Sequence, residues 1–169
     1  ESIFNFLTHS NKILFQLEKS NILDLYSGTG SFGLECLSRQ AKRVIFVENK
    51  KNAVKILEKN IEKLKVENVS KVFLDDAFKI VKEKEKNIYS EFFNEKFNLI
   101  FCDPPFKEEN INILIELISL KNILKKNGII VLHRHKSTQD IMPNHFKILD
   151  ERIYGMSKII FGHFYLSST

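Results

Sequence analysis

The sequence predicts a three-layer α/β sandwich whose mostly parallel, seven-stranded sheet ends in an antiparallel hairpin. Along most of the 169 residues, short apolar runs typical of buried strands alternate with longer segments of helical periodicity. Such alternation is typical of a parallel sheet covered by helices on both faces. The C-terminal part instead carries two strand-like runs around a turn at Gly155, which predicts the closing hairpin.

The first predicted element is a helix, or a pair of helices broken near residues 8–11. Apolar residues recur there at helical spacing in two groups, which are Ile3, Phe4 and Leu7, then Ile13, Leu14 and Leu17. Strand-like runs follow at residues 21–26, 43–48, 72–74, 97–102 and 129–132.

Helical periodicity marks the segments that follow the first, second and fourth of these strands. The apolar positions are Phe32, Leu34 and Leu37 in the first segment and Ala53, Leu57, Ile61 and Leu64 in the second. The third segment runs from Ile111 to about Lys126. The hairpin strands are predicted at residues 146–153 and 159–166. The charged, Asn-rich stretch 82–96 predicts a solvated helix end and loop.

Composition excludes several classes of protein. No apolar run approaches the roughly 18 residues of a membrane span, and Cys36 and Cys102 offer no disulfide framework. The formal net charge of +5 is compatible with a polyanionic partner. We therefore expect one cytoplasmic domain over residues 1–169, without membrane association. Because the chain opens on Glu1 rather than Met, we expect its N-terminal segment to be missing.

A glycine-rich loop lies between the first predicted strand and the helix after it. Gly28-Thr-Gly-Ser-Phe-Gly33 matches the G-x-G-x-x-G pattern, in which glycines let the backbone approach a nucleotide closely. Glu48 ends the second strand 20 residues beyond Gly28, where a carboxylate accepts hydrogen bonds from ribose hydroxyls. The pattern predicts a nucleotide site, and alone it also fits a nicotinamide oxidoreductase or an unliganded turn.

Two features favour a different chemistry. Asp24 lies inside the first strand, where dinucleotide-binding folds usually carry an apolar residue. Asp103-Pro-Pro-Phe106 follows the fourth strand, at the sheet edge where open α/β folds bind ligands. The Asp103 carboxylate and the Pro104 carbonyl can both accept hydrogen bonds from one –NH2 group, while Phe106 stacks on the ring that bears it. This segment predicts a site for the exocyclic amine of a planar base.

Taken together, these motifs resemble those of the class I S-adenosylmethionine-dependent methyltransferases, which have a Rossmann-like fold. The closer resemblance is to the bacterial 16S ribosomal RNA guanine-N2 methyltransferase family. It is carried by residues 25–38, which include the glycine loop and a Gly-Leu-Glu-x-Leu-Ser helix, and by residues 1–7. Asp76-Ala77 and Asp103-Pro-Pro-Phe106 follow in the family's order.

The resemblance implies methylation of the N2 amine of a guanine, with S-adenosyl-L-methionine as cofactor. It implies that the cofactor is bound by Asp24, Tyr26, Gly28, Gly30, Glu48, Asp76 and Ala77. It implies that the guanine is received by the catalytic residues Asp103, Pro104, Pro105 and Phe106. Its partner would be 16S ribosomal RNA or a small-subunit assembly particle. The resemblance also implies that the protein acts as a monomer and needs no metal ion.

Several points stay open from the sequence alone. Asp76 could instead cap the helix after the third strand. The cluster His133-Arg-His-Lys136 could contact phosphate or be a solvated strand end. An adenine-N6 methyltransferase would use the same Asp103 segment, although no insertion here is large enough for a separate target-recognition region. A catalytically silent RNA-binding protein would fit the positive charge.

Overall fold

The computed structural model describes residues 2–165, in which a seven-stranded sheet lies between two layers of helices. The strand order is β3-β2-β1-β4-β5-β7-β6, with β1 to β5 parallel and β7 antiparallel to both of its neighbours. The strands are β1 Asn21–Leu25, β2 Arg43–Glu48, β3 Ser70–Leu74, β4 Phe97–Cys102, β5 Leu124–His135, β6 Phe146–Tyr154 and β7 Ser157–Phe164. The predicted fold class is confirmed; the predicted strand end at Leu166 lies outside the described residues.

The helices bury apolar side chains against opposite faces of this sheet. They are α1 Ser2–His9, α2 Ser31–Ser38, α3 Lys51–Leu64, α4 Ala77–Lys82, α5 Asn87–Ser90 and α6 Ile111–Leu120, with a 3-10 turn at Glu67–Val69. One core cluster joins α1, α2 and α3 to the sheet, and the other joins α4, α5 and α6 to its reverse face. These two clusters hold the strand ends in register, which is what positions the site described below.

The alternative of a helix pair at the N-terminus is wrong, because residues 11–20 form turns, bends and irregular chain. Ile13, Phe15 and Leu17 face the core while Leu14 is 71% exposed. This is the period of two of extended chain rather than the period of a helix. A second helix here would therefore bury too few apolar side chains to be stabilised.

Two other segments differ from their predictions. Helix α6 ends at Leu120, short of the predicted 126, because Asn122 takes a positive φ of 53° and the chain then enters β5 at Leu124. Within the stretch predicted as solvated, α4 does end at Lys82, but Tyr89 and Phe93 are buried in the core. The ring of Tyr89 packs against Phe73 of β3, and the ring of Phe93 packs against Phe97 of β4.

The strand order reverses direction between β1 and β4, which opens a crevice at the carboxyl ends of these strands. Asp24, the glycine loop and Asp103 all lie at this edge. Among the described helices, none is both long and apolar enough to cross a membrane.

Candidate active site

The glycine loop makes a tight left-handed turn between β1 and α2. Gly28 and Gly30 have φ values of 56° and 92°, which residues with a Cβ rarely adopt. Tyr26, at 58°, shares this conformation although it is not a glycine. The Ser27 N–H donates to the Val47 carbonyl at 2.9 Å, which ties the turn to the neighbouring strand β2.

Asp24 lies beneath this loop and is 1% exposed. Its Oδ2 accepts a hydrogen bond from the Gly33 N–H at 3.1 Å, and its Oδ1 has no partner among the described residues. The pKa of Asp24 is raised to about 8, mainly by burial and also by the nearby carboxylates of Asp103 and Glu48. The hydrogen bond from the Gly33 N–H opposes this rise. Near neutral pH, both the neutral and the charged form of the Asp24 carboxyl group are therefore accessible.

Glu48 ends β2 and is fixed from both sides by backbone donors. Its Oε1 accepts from the Gly28 N–H at 2.9 Å and its Oε2 from the Lys50 N–H at 2.8 Å. Because a carboxylate oxygen has two acceptor sites, these bonds leave room for ribose hydroxyls. Glu48 thus also holds the glycine loop in place, a role that the sequence did not reveal.

Asp76 and Ala77 lie at the carboxyl end of β3. Asp76 is the N-cap of α4, because its Oδ2 accepts from the Lys79 N–H at 2.9 Å. The alternative of a helix cap is therefore correct, and it occupies one of the two carboxylate oxygens. Asp75, which sequence reasoning missed, accepts a hydrogen bond from the hydroxyl of Tyr89 and so ties this strand end to α5.

The Asp103 segment leaves β4 at the neighbouring strand end. The Asp103 N–H donates to the Leu25 carbonyl at 3.4 Å, so the segment starts beside the end of β1. Pro104 is buried, whereas the ring of Phe106 is 50% exposed. Oδ1 of Asp103 lies 2.9 Å from Nδ1 of His133 on β5.

Arg134 belongs to the basic cluster His133–Lys136, for which the sequence left phosphate contact and a solvated strand end as alternatives. It does neither, because it is fully buried and its guanidinium binds protein groups. It donates to both carboxylate oxygens of Asp140, at 2.8 and 3.2 Å. It also donates to the carbonyls of Pro105 at 3.2 Å and Glu108 at 2.6 Å. Arg134 therefore fixes the path of the Asp103 segment, and it leaves the Pro104 carbonyl free of this interaction.

The predicted site residues thus lie at the carboxyl ends of four neighbouring strands, β3, β2, β1 and β4. Asp24, Glu48 and Asp103 bring three carboxylates together there, yet no group of His, Cys, Asp and Glu in residues 2–165 could hold a metal ion. Beside them, Asp24, Tyr26 and Ser27 have buried polar atoms that find no hydrogen-bond partner within residues 2–165. This donor and acceptor set fits a cationic organic ligand such as S-adenosyl-L-methionine, which carries a sulfonium and an ammonium group.

Asp24 should make the ligand-free protein less stable as the pH rises. Between its ordinary pKa of 3.8 and about 8, the folded state keeps a proton that the unfolded state has released. The free energy of unfolding should therefore fall across this range, by about 2–4 kcal/mol between pH 5 and pH 8. Asp24→Asn should remove most of this slope, as measured by urea unfolding of both proteins at the two pH values. Equal slopes would contradict the assignment.

Comparisons with known proteins agree with this geometry. The family described as Conserved hypothetical protein 95 matches residues 1–163. Ribosomal RNA small subunit methyltransferase D of Haemophilus influenzae is 31% identical over 157 residues, which cover 92% of this chain and 75% of that protein. The protein of the same name from Buchnera aphidicola subsp. Baizongia pistaciae is 29% identical over 154 residues, covering 90% and 71%.

A solved structure, that of a conserved hypothetical protein from Streptococcus pyogenes, is 27% identical with a TM-score of 0.77, and the match covers 95% of this chain and 92% of that chain. The range matched by the family includes both the glycine loop and the Asp103 segment. The family resemblance predicted from the motifs is therefore confirmed. The chain belongs to the Conserved hypothetical protein 95 family and is a relative of ribosomal RNA small subunit methyltransferase D.

Proposed function

We propose that this protein is a methyltransferase that uses S-adenosyl-L-methionine to methylate the N2 amine of a guanine in small-subunit ribosomal RNA. The observation that carries the proposal is the position of Asp103-Pro-Pro-Phe106, beside the carboxylate-lined glycine loop at one crevice. The names of the related proteins support ribosomal RNA as the substrate. In its finer form, the proposal is that a cytoplasmic monomer methylates 16S ribosomal RNA, either free or within an assembling small subunit.

The cofactor, when bound, supplies an electrophilic methyl group on a positively charged sulfur. Gly28 and Gly30 would let the backbone approach its methionine end, and the Asp24 carboxyl group would lie beside it, where the positive charge of the cofactor favours the ionised form. Glu48 accepts hydrogen bonds from its ribose. Asp76 and the first-turn N–H of Ala77 face its adenine, since the first N–H groups of a helix have no partner within the helix.

Gly28 and Gly30 should respond differently to the same substitution. A Cβ on Gly28 meets no atom within 4 Å, whereas one on Gly30 would lie 2.2 Å from Cδ1 of Leu57. Gly28→Ala should cost about 1–2 kcal/mol of stability, the expense of a positive φ, but weaken cofactor binding by roughly tenfold because the methyl group enters the crevice. Gly30→Ala should destabilise the fold by about 3 kcal/mol. Calorimetric titration with cofactor measures the loss of affinity, and thermal unfolding measures the loss of stability. Unchanged affinity in Gly28→Ala would contradict the proposed location of the cofactor beside Gly28.

The target amine is held by acceptors of the Asp103 segment. Asp103 Oδ2 and the Pro104 carbonyl accept its two protons, which localises the nitrogen lone pair that otherwise delocalises into the ring. Phe106 stacks on the base, and its ring makes edge contacts with the rings of His133 and His135, at centroid distances of 5.9 and 5.4 Å. The aligned lone pair could then form a bond to the methyl carbon as the carbon–sulfur bond breaks and the sulfur leaves as a neutral thioether, and this alignment would supply most of the acceleration.

The guanine must leave its stack to reach these acceptors. Extrusion costs a few kcal/mol, which stacking on Phe106 and the two amine hydrogen bonds offset. Asp103 is also the nearby acceptor for the proton that the nitrogen releases after it has gained the methyl group. No step in this sequence requires a metal or a covalent enzyme intermediate.

The substrate class can be tested with methyl-labelled cofactor. Unmodified small-subunit particles, naked ribosomal RNA and duplex DNA would be offered in parallel, with the Asp103→Ala protein as the blank. Label in particles or ribosomal RNA supports the proposal and identifies the preferred form of the substrate. Label in N6-methyladenine after digestion of the DNA, with none in RNA, would instead assign the protein to adenine-N6 methylation.

A further inference from the structure

His133 lies beside Asp103 because of the register of two parallel strands. Cys102 of β4 is opposite Leu132 of β5, so the next residue along each strand brings Asp103 and His133 together at the sheet edge. Nδ1 of the imidazole lies 2.9 Å from Oδ1 of the carboxylate. The pairing thus follows from the backbone of the fold and does not depend on a flexible loop.

The imidazole ring is held at both nitrogens. Its Nε2 lies 2.8 Å from the hydroxyl oxygen of Ser157, at the start of the neighbouring strand β7. An ionised carboxylate can only accept, so Nδ1 carries a proton and donates to Asp103. In the neutral ring Nε2 then accepts from the Ser157 hydroxyl. A ring bonded at both ends cannot rotate without breaking one of these hydrogen bonds.

This arrangement decides which oxygen of Asp103 faces the crevice. The side chain of Asp103 is 40% exposed, so a carboxylate without a partner would sample several rotamers in water. The hydrogen bond from His133 occupies Oδ1 and fixes the carboxylate plane. Oδ2 is left without a partner in the described part of the chain, and it is the oxygen available to an incoming amine.

We propose that His133, anchored by Ser157, is a positioning residue for methyl transfer that orients Asp103 toward the amine of the target base. This inference rests on the proposed function and assigns a role to a residue that the motifs do not include. His133 acts through Asp103 and needs no contact with the substrate. Its loss should therefore slow the chemical step and leave binding largely unchanged.

Two substitutions separate the hydrogen bond from mere space filling. His133→Asn keeps a donor near the place of Nδ1, because the Asn amide nitrogen is at the same distance from the backbone, whereas His133→Leu removes the donor. We expect kcat to fall about tenfold to a hundredfold in His133→Leu and to recover to within a few-fold of wild type in His133→Asn. The KM for RNA and the Kd for cofactor should change by less than about threefold in both.

His145→Leu is the matched control, since His145 is also half-buried and hydrogen-bonded to a serine, Ser119, but lies at the opposite end of the sheet. It should leave kcat unchanged. Wild-type kcat in His133→Leu would overturn the inference. So would equal losses of kcat in the Asn and Leu variants, or a change confined to KM.

An activity-independent measurement separates this inference from the proposed function. The proton shared by His133 and Asp103 should give a downfield proton NMR resonance in the ligand-free wild type that is absent from both His133→Leu and Asp103→Ala. If that resonance is present and no RNA is methylated, the proposed function fails while the positioned pair stands. If it is absent, the inference fails whatever the activity.

Discussion

Asp103→Ala should reduce methyl transfer by about a thousandfold while the Kd for S-adenosyl-L-methionine changes by less than about threefold. The substitution removes the proposed acceptor of the amine protons, and it leaves the glycine loop and Glu48 in place. Single-turnover rates with saturating RNA measure the first effect, and calorimetry measures the second. The two together distinguish a loss of chemistry from a loss of binding.

Glu109→Ala is the matched control for this variant, because Glu109 is an exposed carboxylate close to the same segment. It should react at the wild-type rate. A tenfold or smaller loss in Asp103→Ala, or an equal loss in Glu109→Ala, would show that Asp103 does not have the role assigned to it.

Arg134→Met should lower the free energy of unfolding by about 3–5 kcal/mol. The side chains of Arg134 and Asp140 are 1% and 6% exposed, so the substitution leaves the carboxylate of Asp140 buried without its partner. The carbonyls of Pro105 and Glu108 lose their donor as well. Equilibrium urea unfolding measures the loss directly.

A double variant, Arg134→Met with Asp140→Leu, tests the cause of that loss. Removing both charges abolishes the unpaired carboxylate, and at least half of the lost stability should return. Arg134→Lys keeps the charge but cannot make all four hydrogen bonds, and it should be intermediate. A loss below about 1 kcal/mol in Arg134→Met would mean that the guanidinium does not hold the segment.

The sequence predicted those parts of the fold in which local patterns agree with tertiary packing. Strands β2 and β4 begin and end where the sequence predicts, because a strand buried on both faces is mostly apolar and stands out as a short apolar run. Residues 13–17 misled the helical interpretation, since Ile13, Leu14 and Leu17 fit a period of 3.6, whereas Ile13, Phe15 and Leu17 fit a period of two. Packing against the sheet resolved that ambiguity.

The motif residues of the site were likewise predictable, since a glycine loop and a carboxylate at a strand end are local signals. The role of Arg134 was not, because its partners Pro105, Glu108 and Asp140 come from two separate segments of the chain. The same holds for His133, whose contact with Asp103 depends on the register between β4 and β5. The basic cluster was visible in the sequence; what its members bind was not.

The chemical position of the transferred methyl group tests the central claim most directly. Small-subunit RNA labelled by this protein would be digested to nucleosides, and the labelled product identified by chromatography and mass spectrometry against standards. N2-methylguanosine is the predicted product, because we propose that Asp103 and the Pro104 carbonyl accept the two protons of an exocyclic amine. A methyl group on a ring nitrogen, a ribose oxygen or the amine of adenine would contradict that account of the site.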